Sequence, residues 1–521
     1  MTEKNSKIIT HNTKWLYISK FSCQIVGLFA TILVIRKLPV EIFGTYNLLL
    51  GSVLLMEVIT ISAVSNVFNR YIPELVTKKQ YAVYKKLIIC GFMYSTILST
   101  VLAAMLYLNR GLFASFFNIP EFNNYLVSFL IYCNLNFLKK LIETCLKSLL
   151  LHKKVAITTI ISSIIRTTAY IVFIDKLDVV MLLYIEACIS GLFAINGLII
   201  YIRHNKGLYL AEISTKGNDV HSKRMIRYGA LSAINELGVG VVGKTSDYFI
   251  IAAFSNPYYV GLYAFAHKLY KMIFKILPYK DFQTIIRPVF FKKYANKYDI
   301  DSFRNMYAFI VKMLLPVYAL PAIYFFFFGR HIINIAFDPK YLNAYWVAVV
   351  VLSSNIFLAF FYPLGLTVML KEKMEYNLYS KIIVVFSAFA GIYGMKYFGV
   401  VGVAIASLIG SFLKHSIVLF FMRGYPEVKY RLKDYRNFFI ILPFLIPFLG
   451  VHYISLNVFT LIITTVSFFV YAIAVFAIFH PYNEYDQQIL RSLALNIPLA
   501  MTAKRALYPS IQRVRAKIAV E

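Results

Sequence analysis

The sequence predicts an all-α polytopic membrane protein, and three observations carry that prediction. The 521 residues are 60% hydrophobic with mean hydropathy +0.67, against roughly 45–50% apolar residues in a soluble domain. The excess runs the whole length in apolar stretches of about 20 residues, what a helix needs to cross a ~30 Å hydrocarbon core. Basic residues fall between those stretches and crowd into every second connection, as they do in short cytoplasmic loops.

Taken in order, the stretches make about fourteen spans, with cores near 15–35, 46–66, 87–108, 124–146, 155–174, 179–202, 229–254, 259–280, 307–328, 343–369, 377–397, 400–422, 438–455 and 458–479. The loops check the count. Lys78, Lys79, Lys85 and Lys86 follow span 2, Lys147, Lys153 and Lys154 follow span 4, and Arg203, Lys206, Lys216 and Lys223 follow span 6. Lys292, Lys293 and Lys297, then Lys371 and Lys373, then Arg423, Lys429 and Arg431 continue the alternation. About 35 Lys and Arg fall on this side and about 7 on the other, so both termini read as cytoplasmic. The polar, basic start (Met1 to Lys14) precedes a run too long for a signal-peptide core and is read as leading into a retained first span.

Net charge is +30. In a soluble protein that would suggest nucleic acid, but here topology accounts for it, and no nucleic-acid-binding motif is present. The cysteines (Cys23, Cys90, Cys133, Cys145, Cys188) lie in or beside apolar runs with no CxxC pair, which argues against a disulfide framework or a zinc site. No cofactor is expected beyond H⁺ or Na⁺ coupling. The segment from His480 onward is basic (Arg491, Lys504, Arg505, Arg513) and partly apolar. It reads either as a helix along the inner leaflet or as a solvated tail.

An internal repeat organises the chain. After span 1 stands Pro39-Val-Glu-Ile-Phe-Gly44-Thr-Tyr46, and about 217 residues later, after span 7, Pro257-Tyr-Tyr-Val-Gly261-Leu-Tyr263. Leu151-His-Lys-Lys-Val155 likewise matches Leu370-Lys-Glu-Lys-Met374. An even number of spans per half makes the repeats parallel, related by an axis along the membrane normal, with a central cavity between them. The expected organisation is a six-helix bundle at 1–205, a cytoplasmic linker at 206–227, a second six-helix bundle at 228–425, two extra helices within 426–480 and a basic tail at 481–521.

Charges inside the spans point to the site. A charge within a bilayer costs about 2.5–3.5 kcal/mol on insertion scales, so such side chains should face a cavity or a partner. In span 8, Lys268, Lys271 and Lys275 recur at i, i+3 and i+7, one helical face, with Lys268 and Lys271 near mid-membrane. Lys275 can instead snorkel to the interface. In span 7, Glu236, Lys244 and Asp247 share a face, and Lys244 can pair with Asp247. Lys20 opens span 1 and Arg166 lies midway in span 5, where it either lines a chamber or bridges to Glu186 of span 6. Lys139 and Glu143 of span 4 can pair locally. Substrate-binding candidates are therefore Lys20, Arg166, Lys244, Lys268, Lys271 and Lys275. Candidates for carrying a coupling ion are Glu57, Asp247 and Glu236. Basic groups outnumber acids within the spans, and such a cavity concentrates anions, phosphates above all.

The two Gly-x-Tyr motifs, Asp247-Tyr-Phe-Ile-Ile before the second of them, Asn69-Arg70-Tyr-Ile-Pro-Glu74 closing span 2, and Phe337-Asp-Pro-Lys-Tyr341-Leu-Asn-Ala344 before span 10 together resemble the polysaccharide-transporter branch of the multidrug/oligosaccharidyl-lipid/polysaccharide exporter superfamily. That branch includes the O-antigen and capsule repeat-unit flippases. The resemblance covers residues 10–425. It implies two six-helix bundles and a non-enzymatic flippase in the plasma membrane. Its cargo would be an undecaprenyl-diphosphate-linked oligosaccharide moved from the inner to the outer leaflet by alternating access. The implied partners are that lipid-linked oligosaccharide, membrane lipid, and the glycan polymerase and glycosyltransferases of the same surface-polysaccharide pathway. Two other readings stay open: an ion-coupled exporter of another amphiphile in the same superfamily, and a membrane polysaccharide polymerase or glycosyltransferase. The lysines weigh against a cation exporter, and short outer loops poor in Asp and Glu weigh against an enzyme.

Overall fold

The computed structural model describes residues 22–210, 224–230, 232, 236, 244–277, 279–294, 299–428, 435, 448–451, 454, 456–479, 482 and 485–487. The described residues are helical throughout, with short connections and no strand. Nine helices among them are long and apolar enough to cross a membrane. Helices α1 (22–37), α2 (Val40–Thr77), α3 (Tyr81–Leu108), α4 (Phe122–Ser148), α5 (His152–Val172) and α6 (Val179–Leu210) coincide with the first six predicted spans. Helices α7 (Lys244–Phe254) and α8 (Pro257–Ile276) meet the next two, followed by α9 (Tyr279–Tyr294) and α10 (Ile300–Ile332). Then come α11 (Tyr345–Ser354, continuing as Ile356–Leu370), α12 (Ile382–Phe421) and α13 (Val458–Phe479). Most of the predicted thirteenth span lies outside the described residues.

Where α12 covers two predicted spans, the helix breaks at Gly399 (φ 59, ψ −146), a conformation open essentially to glycine alone. The sequence places that break between 397 and 400. The inner turns that the sequence pairs as a repeat also share their geometry. After α4, Leu150 takes φ 60 and Leu151 N–H donates to Leu146 O (3.0 Å); after α11, Glu372 takes φ 56 and Lys373 N–H donates to Val368 O (3.0 Å). Both are left-handed helix terminations that satisfy the last carbonyls. A non-glycine residue holds each one.

The chain forms two compact units. The first comprises Met1–Lys275, Ala336–Ala348 and Ile383–Gly410, and the second Ile276–Ile335, Val349–Ile382 and Ser411–Glu521. In the first unit α4 packs along α6, α5 against α6, and the inner half of α2 against α4. A polar seam joins α2 to α4. Lys140 pairs with Glu57, Ser65 meets Thr144 (3.4 Å), and Ser148 donates to Asn69 (3.0 Å). Both numbers rise together along this seam, so the helices run parallel. The Glu57 end sits where α2 opens into a π turn, Val58–Ser62, and Ser95 donates to the Thr60 carbonyl there (2.9 Å). The repeat glycines meet in this unit. A Cβ on Gly44 would overlap the backbone of Pro257 and Gly261, and one on Gly261 would overlap Val40. The two Pro-led helix starts, α2 and α8, thus cross backbone to backbone, which only residues lacking a Cβ allow.

In the second unit Phe327 and Phe328 of α10 pack with Val451 and with Phe468 and Ala472 of α13. Lys312 of α10 pairs with Asp486 at 2.8 Å, with side chains 4% and 1% exposed. Asp486 is buried against α10, giving the Lys312 ammonium a counter-charge; most of the segment after His480 lies outside the described residues.

Candidate functional site

A cavity of about 420 Å³ lies within the first unit, bounded by α1, α4, α5, α6 and α8. Lys139, Arg166, Lys268, Lys271 and Lys275 face it, against a single lining carboxylate, Glu143. The i, i+3, i+7 spacing on α8 explains three of the five. One face of one helix delivers Lys268, Lys271 and Lys275 together, and the same lysines keep α8 out of any reckoning of purely apolar spans. Lys268 is half-buried, and Lys271 and Lys275 are exposed to the cavity side.

The lone carboxylate does little to neutralise the set. Glu143 Oε1 accepts from Lys147 at 2.5 Å, one turn on. This corrects the local Lys139–Glu143 pair expected from spacing: both i−4 and i+4 lysines are in reach, and Glu143 goes to the one nearer the helix end. Lys139 instead sits over the Phe193 ring, 5.5 Å from its centroid. Among the described residues neither Lys268 nor Lys271 has an ion-pair or hydrogen-bond partner. Gln24 of α1 lines the same cavity, and its Nε2 has no partner among them either. A buried donor without an acceptor is costly, so this wall is built for something that supplies acceptors.

Arg166 takes both roles that the sequence left open. It lines the cavity, and its Nε lies 3.0 Å from Glu186 Oε1. Glu186 also accepts from the Tyr170 hydroxyl at 2.6 Å. The remaining candidates do not gather here. Glu57 is paired with Lys140 in the α2–α4 seam. Asp247 of α7 accepts from the Tyr263 hydroxyl (2.5 Å) and from the Ser407 hydroxyl (2.8 Å), both on Oδ2. No spacing rule pointed to Ser407; Tyr263 was visible only as part of the repeated Gly-x-Tyr. Glu236 is half-buried, with most neighbours outside the described residues. Lys20 lies outside the described residues, as does the side chain of Lys244, and with it the expected Lys244–Asp247 pair. Among the described residues no cluster of His, Cys, Asp and Glu could hold a metal ion.

Nine membrane-length apolar helices among the described residues define a multi-pass membrane protein with a polybasic hollow in its first unit. The fold agrees with solved transporters at low sequence identity. The structure titled lipid II flippase MurJ, inward closed conformation, matches with TM-score 0.62 at 16% identity, covering 92% of this chain and 99% of that one. An inward-facing multidrug-resistance MATE transporter of the MOP superfamily matches with TM-score 0.56 at 12% identity over 78% of this chain and 98% of its own. A mutant of the Vibrio cholerae MATE transporter VcmN matches with TM-score 0.51 at 11% identity over 82% and 100%. No curated protein matches by sequence. The family model for polysaccharide biosynthesis proteins matches residues 58–346, more than half of the chain. The protein belongs to that family.

Proposed function

We propose that the protein is a flippase that carries a polyprenyl-diphosphate-linked oligosaccharide, a surface-polysaccharide repeat unit of the O-antigen or capsule kind, from the inner to the outer leaflet of the plasma membrane by alternating access. The observation that carries this reading is the cavity with five cationic side chains and one carboxylate already engaged by Lys147. A diphosphate cannot cross hydrocarbon with its charge exposed. Ammonium groups on a helix face replace its hydration, while the polyprenyl tail stays in lipid. Lysines suit a site that must also release, since an ammonium is a compact, hydrated charge and not a rigid bidentate fork. Lys268, Lys271, Lys275 and Arg166 bind, with Lys20 and Lys244 completing the set. Asp247, held by two hydroxyls, carries the coupling H⁺ or Na⁺, with Glu57 and Glu236 as secondary candidates. Both termini are cytoplasmic, and the protein performs no covalent chemistry.

The test is reconstitution. Proteoliposomes containing the full chain and a fluorescent polyprenyl-diphosphate oligosaccharide should expose the glycan to an impermeant glycosidase outside faster than protein-free vesicles do. Equal exposure in the two preparations would refute the reading.

A further inference from the structure

The cationic cavity does not end at its lysines. A second hollow of about 180 Å³ in the same unit continues it, since Gly27, Thr31, Ser163, Arg166 and Lys268 line both. Three helices agree on the direction. On α1 the first hollow touches Cys23 and the second Val34; on α5 the first touches Thr159 and the second Tyr170; on α8 Lys271 and Lys275 belong only to the first. Thr159 to Tyr170 is a rise of about 16 Å. On the proposed topology, the second hollow lies on the outward side of the lysines.

Its chemistry differs from that of the first. Tyr46, Tyr132 and Tyr170 line it, 6%, 8% and 6% exposed, together with Glu186 and Thr167. Glu186 would repel a second phosphate. Its Oε1 is shared by Tyr170 and Arg166, while the Tyr132 hydroxyl has no hydrogen-bond partner among the described residues. Arg166 Nε lies 3.0 Å from Glu186 Oε1, so the guanidinium joins the two hollows through an ion pair. Tyrosine hydroxyls, a carboxylate and a guanidinium therefore line one small hollow. A neutral ring carrying several hydroxyls supplies both donors and acceptors, and its apolar faces pack on tyrosine rings.

Resting on the flippase reading, we infer that this outward hollow is the subsite for the first sugar attached to the diphosphate, with Tyr132, Tyr170, Glu186 and Arg166 as its specificity-determining residues. The lipid-linked glycan then enters sugar first, and its diphosphate stops at Lys268, Lys271 and Lys275. The two hollows divide recognition: charge for the diphosphate, hydroxyl and ring contacts for the sugar.

The experiment measures Kd in nanodiscs, with the full chain, for undecaprenyl diphosphate and for the same lipid bearing one N-acetylhexosamine. The readout is the ratio of the two constants, with thermal unfolding recorded for each variant. In the parent protein one sugar should tighten binding about tenfold, the value of one or two net hydrogen bonds. Tyr132→Phe should bring the ratio close to one, and Tyr170→Phe, which removes the Glu186 hydrogen bond, should do the same. A parent ratio near one, or a parent-like ratio in both variants, would overturn the subsite while leaving the flippase reading standing. If the parent prefers neither diphosphate lipid over undecaprenol, the flippase reading fails, and the subsite with it.

Discussion

Replacing Lys268 and Lys271 by alanine separates a binding surface from a structural one, because the cavity lysines and the seam lysine differ in both partner and place. Lys268 and Lys271 have no partner among the described residues, whereas Lys140 is paired with Glu57. A hydrogen bond to a charged group contributes about 1.5–3 kcal/mol, so losing two contacts to a diphosphate costs about 3–6 kcal/mol, or roughly 10²- to 10⁴-fold in Kd. The same double substitution should leave the empty protein as stable as the parent or more so, since like charges on one face repel each other. Lys140→Ala should do the reverse. It strands a partly buried carboxylate, lowering the unfolding temperature, and leaves the lipid Kd close to that of the parent. Both quantities can be read on one nanodisc preparation, Kd by titration with undecaprenyl diphosphate and stability by differential scanning fluorimetry, at low and at raised salt. Parent-like lipid affinity in the Lys268→Ala/Lys271→Ala protein would refute the assignment, as would a loss of affinity in the Lys140→Ala protein matching that of the double variant.

Asp486→Asn should lower stability by about 3–5 kcal/mol, because Lys312 is left charged and buried, while Lys312→Met with Asp486→Leu should restore it; an unchanged melting point in the single variant would rule out the tie. Gly399→Ala should cost about 1–3 kcal/mol, since φ 59 with ψ −146 has no relaxed alternative for a residue with a Cβ, and chemical unfolding would show it. Asp247→Asn can still accept from Tyr263 and Ser407 but loses its charge, so glycan exposure in proteoliposomes should stop responding to an imposed H⁺ or Na⁺ gradient. Gly261→Val should force α2 from α8 at their Pro-led ends, read as faster labelling of a cysteine placed at Val40 by an impermeant maleimide. Labelling at the parent rate would show that the crossing yields elsewhere.

The helices were readable because membrane length and basic loops are one-dimensional signals, and the Gly399 break falls where the spacing put it. The α8 lysines were readable for the same reason: a single helix carries all three on one face, so no tertiary information was needed to group them. What spacing could not resolve was choice among partners. Glu143 had a lysine on either side within reach, and the helix-end one takes it. Arg166 had a chamber and a carboxylate on offer and reaches both. The Lys312–Asp486 pair joins positions 174 apart, and the Asp247–Ser407 bond joins positions 160 apart, so periodicity along the chain carries no trace of either.

The repeat has a chemical counterpart that bears on how such a protein works. In each Gly-x-Tyr motif the glycine takes part in the α2–α8 crossing and the tyrosine, one turn at most further along, stands near an acid. Tyr263 donates to Asp247. Tyr46 lines the hollow that holds Glu186, beside the Tyr170 hydroxyl that bonds it. Each motif therefore ties the close helix crossing to a tyrosine near a carboxylate. Movement of α2 against α8 would shift both tyrosines, and with them the hydrogen bonds that keep Asp247 and the Arg166–Glu186 pair in place. On the proposed function, a coupling ion at Asp247 and a sugar at Glu186 would both act on that crossing. On the proposed alternating-access reading, two ligands would each bias this one contact.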